Sequence, residues 1–235
     1  MPAALSACAV LVASAHAETY ATITPLLYPD RLGARGALSL TIQFADPGAG
    51  VPAPVRRSIL RFPAGMTLEV PHLRSCSASR LRARGATGCP AESALGRGHA
   101  LVEAHVGSQT LTENVSLWVF LGPLQNLQPS IEILAQGYTP FDERVVLDGT
   151  MLPTGGPYGE ALTLSIPPIP TLTFEPDASI VTFSLVIGAH EQRKARDANT
   201  VRLPASCPRG GFPFAAEFSY ADGSSGSSVN TAPCP

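Results

Sequence analysis

The stretch 37-ALSLTIQFA-45 alternates without a break: Leu38, Leu40, Ile42 and Phe44 point one way, and Ser39, Thr41 and Gln43 point the other. A period of two is the signature of a strand with one face buried and one wet. The same period recurs in 66-MTLEV-70, 99-HALVEAHV-106, 130-SIEILA-135, 144-RVVLDG-149, 161-ALTLSI-166, 199-NTVRLP-204 and 212-FPFAAEFSY-220, with shorter echoes in 59-ILRF-62 and 171-TLTF-174. Two further runs, 114-NVSLWVFL-121 and 179-SIVTFSLVIG-188, are bulky and apolar on both faces, which places them centrally between layers. The lone Trp118 is expected to fill the core there. About a dozen short strands and little helix define an all-β fold, read as a two-layer, mainly antiparallel β-sandwich.

Composition agrees. Of 235 residues, 45% are hydrophobic and only 14% charged, and 23 prolines and 21 glycines punctuate the whole length. The net charge is −2, and the longest basic run is 191-EQRKAR-196, so no electrostatic footprint for nucleic acid is present. The Pro-rich 167-PPIPTLTFEPD-177 is short and apolar, and reads as a turn within one domain spanning residues 38–235. Residues 18–37 are expected to be an extended lead-in.

The first residues read as an export signal. The apolar run 4-ALSACAVLVASAHA-17 ends in Ala15-His16-Ala17, a small-x-small cleavage pattern, so residues 1–17 are assigned as a signal peptide and the mature chain begins at Glu18. A lipobox at 5-LSAC-8, with Cys8 lipidated, is the alternative; the apolar residues after Cys8 speak for an h-region instead. No later stretch reaches the roughly 18 apolar residues of a membrane span.

Four cysteines then remain: Cys76, Cys89, Cys207 and Cys234. They lack the close C-x₂₋₄-C pairs of a structural zinc site, so two disulfides between sequence-local partners are expected, Cys76–Cys89 and Cys207–Cys234. The second closes a hairpin: 212-FPFAAEFSY-220 buries Phe212, Phe214, Ala216, Phe218 and Tyr220 on one face, Asp222-Gly223 turns, and the Ser/Gly run makes a loose reversal before 228-SVNTAP-233 returns. Within the first cysteine loop, Ser77 caps a short helix through Arg84 that Gly85 stops, and Pro90 opens a second turn ended by Gly96. Together these make a plug at one end of the sandwich.

The segments 89-CPAESALGRG-98 and 207-CPRGGFPFAAEFSYADGS-224 with its closing 233-PCP-235 resemble paired motifs of exported actinobacterial β-sandwich proteins without an assigned activity. The likeness covers roughly residues 38–235. It implies an extracytoplasmic sandwich and transfers no catalytic residue.

Chemistry-bearing motifs are few. The sequence holds no G-x-S-x-G elbow, no H-E-x-x-H and no phosphate-binding loop. On 99-HALVEAHV-106, His99, Glu103 and His105 share the polar face, where a divalent ion is one reading and a plain solvent-facing edge the other. Asp142 and Glu143 read as a turn that favours charge, and the serines of 223-GSSGSS-228 as a linker. No cofactor is expected. The function that follows is a secreted or envelope-associated, non-enzymatic β-sandwich protein that is structural or binds a cell-wall polysaccharide or an envelope protein. The alternative is an extracellular carbohydrate-active hydrolase on a jelly-roll-type sandwich, which requires two carboxylates about 5–9.5 Å apart on an open face.

Overall fold

The computed structural model describes residues 19–29, 31–46, 48, 50–70, 73–139, 142–171, 174–188 and 200–234. The leader assigned to residues 1–17, Cys8 and the basic run 191–196 lie outside them, as do residues 172–173 of the expected strand 171-TLTF-174. Among the described residues the chain is all-β, with thirteen strands: β1 (Tyr20–Tyr28), β2 (Arg35–Ala45), β3 (Val55–Pro63), β4 (Thr67–Leu68), β5 (Ala94–Val106), β6 (Gln109–Leu121), β7 (Ser130–Gln136), β8 (Arg144–Pro153), β9 (Tyr158–Ser165), β10 (Ser179–Ile187), β11 (Val201–Arg202), β12 (Phe212–Tyr220) and β13 (Ser225–Ala232). One helix, α1 (Ala78–Arg84), precedes β5.

The ladder runs β1-β2-β10-β5-β6-β7-β8-β9-β3-β12-β13, and every pairing along it is antiparallel. β11 and β4 extend from the Arg35 end of β2. The sheet folds on itself into two layers around one apolar interior. Phe44 of β2 meets Phe218 of β12 edge-on at 5.0 Å between ring centroids, although these strands are not paired, so the contact spans the interior. Leu38, Leu40, Ile42 and Phe44 are all buried there, as the alternation dictates. So are Phe212, Phe214, Ala216, Phe218 and Tyr220.

The folded sheet brings β1 beside β13, and there the ladder stops. Ten antiparallel pairings separate these strands, so they must run in the same direction. Side chains join them instead: the Ile23 amide donates to Ser228 Oγ at 3.2 Å, and Asn230 Nδ2 donates to the Ile23 carbonyl at 2.7 Å. Pro25, two residues on, has its imide nitrogen on the same edge, where a missing donor costs a ladder nothing.

Three expectations are corrected. Residues 20–28 are not a lead-in but strand β1, paired to β2 over its whole length. Its alternation is present in the sequence, but the central proline masked it. The C-terminal reversal is tight rather than loose: the Gly223 amide donates to the Tyr220 carbonyl at 3.2 Å, and Asp222 Oδ1 accepts from the Ser224 amide at 2.9 Å. The serines that follow belong to β13. Gly96 does not end a second helical turn; the turn at Ala91–Ser93 is 3₁₀, and Gly96 lies within β5 at a bulge.

Candidate functional site

Two arrangements of functional groups emerge, one outside the sheet and one between its layers. The outer one is built by the first cysteine loop. α1 is capped by Ser77 Oγ, which accepts from the Arg80 amide, and ends at Gly85 with φ +65°, a left-handed backbone that glycine takes without a Cβ clash. The Cys76–Cys89 disulfide (Cα–Cα 5.5 Å) ties both ends of this segment together. It covers the outer face of β6–β8 rather than one end of the sandwich: Leu81 and Cys76 bury Phe120, Leu134 and Val146 in a small second core. Trp118 packs here, half-buried, and not in the main interior. Both faces of β6 are apolar because one meets the opposite layer and the other meets the plug.

Beneath the plug lies a carboxyl pair. Glu132 and Asp148 are directly opposed cross-strand neighbours on β7 and β8. Glu132 is only 2% exposed, and its Oε2 has no hydrogen-bond partner. Burial, then the neighbouring Asp148 carboxyl, pushes its pKa up to about 8. Arg82 Nη2 of α1 donates to Asp148 Oδ2 at 3.0 Å, and Arg144 Nη1 donates to the Arg82 carbonyl at 3.1 Å. With Glu132 buried beneath the plug, no open face is left on which a sugar could lie between the two carboxyls.

The inner arrangement is an apolar cavity of about 50 Å³ between the layers. Several water molecules' worth of space is therefore present where polar partners for water are scarce. Ala100, Val102 and Ala104 of β5 form one wall, flanked by Leu111, Val115 and Leu117 of β6 on one side and by Ile180 and Phe183 of β10 on the other, and Ile166, Ile169 and Ala178 also line it. It lies toward the end where β5 turns into β6, beside Gly137 and Glu143 and the loop that carries Ile166, Ile169, Pro170 and Ala178. The bonds that hold its described residues include Ala178 amide to Ile169 carbonyl (2.9 Å), Thr171 Oγ1 to Pro176 carbonyl (2.7 Å), Gly107 amide to Glu175 Oε1 (3.2 Å), Ile166 amide to Arg56 carbonyl (2.9 Å) and the Arg56–Asp177 ion pair.

Among the described residues, two charged ones line this cavity, Glu113 and Glu143. Glu113 is 7% exposed and accepts from the Thr139 amide through Oε1 at 3.1 Å. Sequence reading missed it. The signal was there: Glu113 shares strand parity with Leu111, Val115 and Leu117, so a carboxylate stands on an apolar face. Glu143, read from sequence as an ordinary turn residue, is exposed and reaches the same cavity.

The sequence-derived metal candidates fare differently. β5 does carry His99, Glu103 and His105 on its outward face. Their cross-strand neighbours are Ser184 and Ser116, Ser179 and Thr112, and Thr110. His105 Nδ1 lies 3.3 Å from Thr110 Oγ1. Among the described residues, no group of three or more His, Cys, Asp or Glu side chains is placed to hold a metal ion.

Cys207 and Cys234 are bonded across the mouth of the β12–β13 hairpin (Cα–Cα 5.9 Å). Two disulfides point to an oxidising compartment. No helix among the described residues is long and apolar enough to cross a membrane. The chain matches no protein-family model, no curated protein and no solved structure.

Proposed function

We propose that this chain is an exported, non-enzymatic binding protein whose sandwich holds a small apolar molecule between its layers. It would work at the cell exterior or in the envelope, where its disulfides persist, in keeping with the resemblance to exported actinobacterial proteins. The observation that carries the reading is the cavity walled by β5, β6 and β10, whose described lining residues are apolar apart from Glu113 and Glu143. Preformed apolar space with a few convergent polar groups is the usual form of a small-molecule site. A well-packed core avoids such voids, because each lining atom forfeits contacts across the gap.

A polysaccharide ligand has less support. Sugar rings stack on aromatic platforms, and the exposed aromatics are dispersed: Tyr20 and Tyr28 sit at opposite ends of β1, and Tyr138 and Phe174 on separate loops. The hydrolase alternative is disfavoured by the burial of Glu132 beneath the plug, beside its cross-strand neighbour Asp148.

The test uses benzene, a small uncharged apolar ring, followed by its saturation-transfer signal in proton NMR. Saturable binding to the oxidised protein is expected, and its loss in Ala104→Phe, which fills the cavity. Ala135→Leu, on another strand, guards against a folding defect in the first variant. Benzene binding indifferent to both substitutions, in variants with unchanged melting, overturns the proposal.

A further inference from the structure

The loop between β6 and β7, 122-GPLQNLQPS-130, holds a residue that its backbone does not favour. Gln125 and Gln128 bond each other through both amides at 2.9 Å, and the two residues between them, Asn126 and Leu127, have positive φ, +50° and +66°. Such a turn favours glycine at its second position, because a left-handed backbone crowds a Cβ. Leucine stands there instead, and it is 87% exposed. Burial within this chain therefore does not offset the strain. Strained backbone under an exposed apolar side chain points to a contact outside the chain.

The surroundings of Leu127 are apolar and uncharged. Leu124 is exposed, and so is Leu152 of β8, which lies beyond the Ser130–Thr150 pair. Thr150 Oγ1 donates to Gln125 Oε1 at 2.7 Å and the Met151 amide to the Pro129 carbonyl at 2.9 Å, so the end of β8 is fastened to the loop. The Ala64 amide, just after β3, donates to the Pro157 carbonyl at 3.0 Å and joins the β3 turn to the β8–β9 connection. The stretches 62–68, 121–131 and 149–159 hold no Asp, Glu, Lys, Arg or His, where several would be expected from the chain's 14% of charged residues.

Cations stand beside this end. The Cys76 amide donates to the Leu121 carbonyl at 2.8 Å, so the first cysteine loop enters the fold where the β6–β7 loop begins. Residues 73–90 carry Arg74, Arg80, Arg82 and Arg84, all exposed, and no carboxylate. Arg82 donates to Asp148.

We infer that this end of the sandwich docks on an anionic lipid bilayer, with Leu124, Leu127 and Leu152 entering the boundary between headgroups and acyl chains and the arginines of the cysteine loop meeting lipid phosphates. Uncharged leucines enter that boundary with little desolvation cost, and guanidinium groups meet phosphate oxygens in forked hydrogen bonds. The apolar cavity lies toward the other end of β6, so this contact does not depend on what the cavity holds.

Co-sedimentation of the oxidised protein with phospholipid vesicles tests the contact. Binding to phosphatidylglycerol vesicles is expected, with weaker binding to phosphatidylcholine vesicles. The difference should fade in about 0.5 M salt, where the Debye length falls to about 4 Å. Leu127→Gly should melt no lower than the parent, since glycine takes the left-handed backbone without a clash, yet bind several-fold less. Leu124→Gln should weaken binding as well. Arg74→Gln combined with Arg80→Gln should reduce binding to phosphatidylglycerol and leave phosphatidylcholine unaffected. No sedimentation with phosphatidylglycerol vesicles, equal binding to both lipids, or binding undiminished in both leucine variants overturns the inference. So does a Leu127-dependent dimer in analytical ultracentrifugation, which makes a second copy of the chain the occupant.

Discussion

Glu132 of β7 and Asp148 of β8 stand directly opposite each other across the strand pair under α1, whose Arg82 donates to Asp148. With Glu132 raised to about 8 from an ordinary value of 4.5, the native state keeps a proton that the unfolded chain has released. The stabilisation is full below about pH 4.5 and is lost as pH climbs to about 8, by up to roughly 1.4 kcal/mol per pH unit. Above that the pair is ionised and only Arg82 offsets it. Chemical denaturation at pH 5, 7 and 9 should show this decline. Glu132→Gln, which cannot titrate, should flatten it. An equal slope in both proteins removes the linkage.

β5 approaches β10 so closely at Gly98 that a Cβ there would stand 1.9 Å from the Ser184 carbonyl oxygen. Backbone cannot yield as a flexible side chain does. Gly98→Ala should therefore destabilise by about 3 kcal/mol, the upper range for overpacking. Gly107, at the β5–β6 turn, gives a contrast: its Cβ meets nothing within 4 Å, but its φ is +61°. Gly107→Ala should cost only about 1 kcal/mol, from backbone strain alone. Thermal melts of both variants check the difference.

Strand identity was legible where the pleat speaks for itself. Leu38 to Phe44 and Phe212 to Tyr220 needed only a period of two, because side-chain alternation is a local property of extended backbone. Helix α1 was equally plain, since Ser77 and Gly85 act within one turn of it. β1 was not, because Pro25 interrupts the pattern and its seam partners, Ser228 and Asn230, lie more than 200 residues away. Trp118 and Phe120 advertised a strand covered on both faces, but nothing local distinguishes a covering sheet from a covering plug. The Glu113 site was half-legible: its parity was readable, yet the Thr139 amide and the far wall depend on how the sheet folds over.

The seam between β1 and β13 depends on side chains rather than a ladder. Asn230→Ala deletes the donor to the Ile23 carbonyl, and Ser228→Ala deletes the acceptor for its amide. Each should cost on the order of 1 kcal/mol. Amide exchange within β1 should accelerate in both, most at Ile23, while β6 and β7 keep their protection. Faster exchange spread evenly over all strands argues that the seam is not a separate weak point.

The Cys207–Cys234 bond closes the free end of the hairpin whose inward face is Phe212, Phe214 and Phe218. Its removal releases a 27-residue separation in the unfolded chain, for which the entropic account gives roughly 3 kcal/mol. Cys234→Ser should lower the melting temperature by about 6–12 °C for a chain this size. Benzene binding at room temperature should persist, because the cavity walls lie on other strands. Lost binding in a folded Cys234→Ser protein contradicts a purely stabilising role.

Trp118 offers a direct view of the plug, being the only tryptophan in the chain. It packs against the small core that contains Cys76 and Leu81, on the opposite face of β6 from the apolar cavity. Reducing Cys76–Cys89 frees both ends of the α1 segment, and few apolar contacts then hold it down: Leu81 is the buried residue that α1 itself supplies. Segments with so small a buried face open before the core they cover. Mild reduction should therefore shift Trp118 emission to the red, while the far-ultraviolet circular dichroism of the sheet remains. Cys76→Ser should show the shifted spectrum without reductant, and Cys234→Ser should not. Red-shifted emission that appears only together with loss of the sheet signal places Trp118 within the main cooperative unit and rules out a separately opening plug.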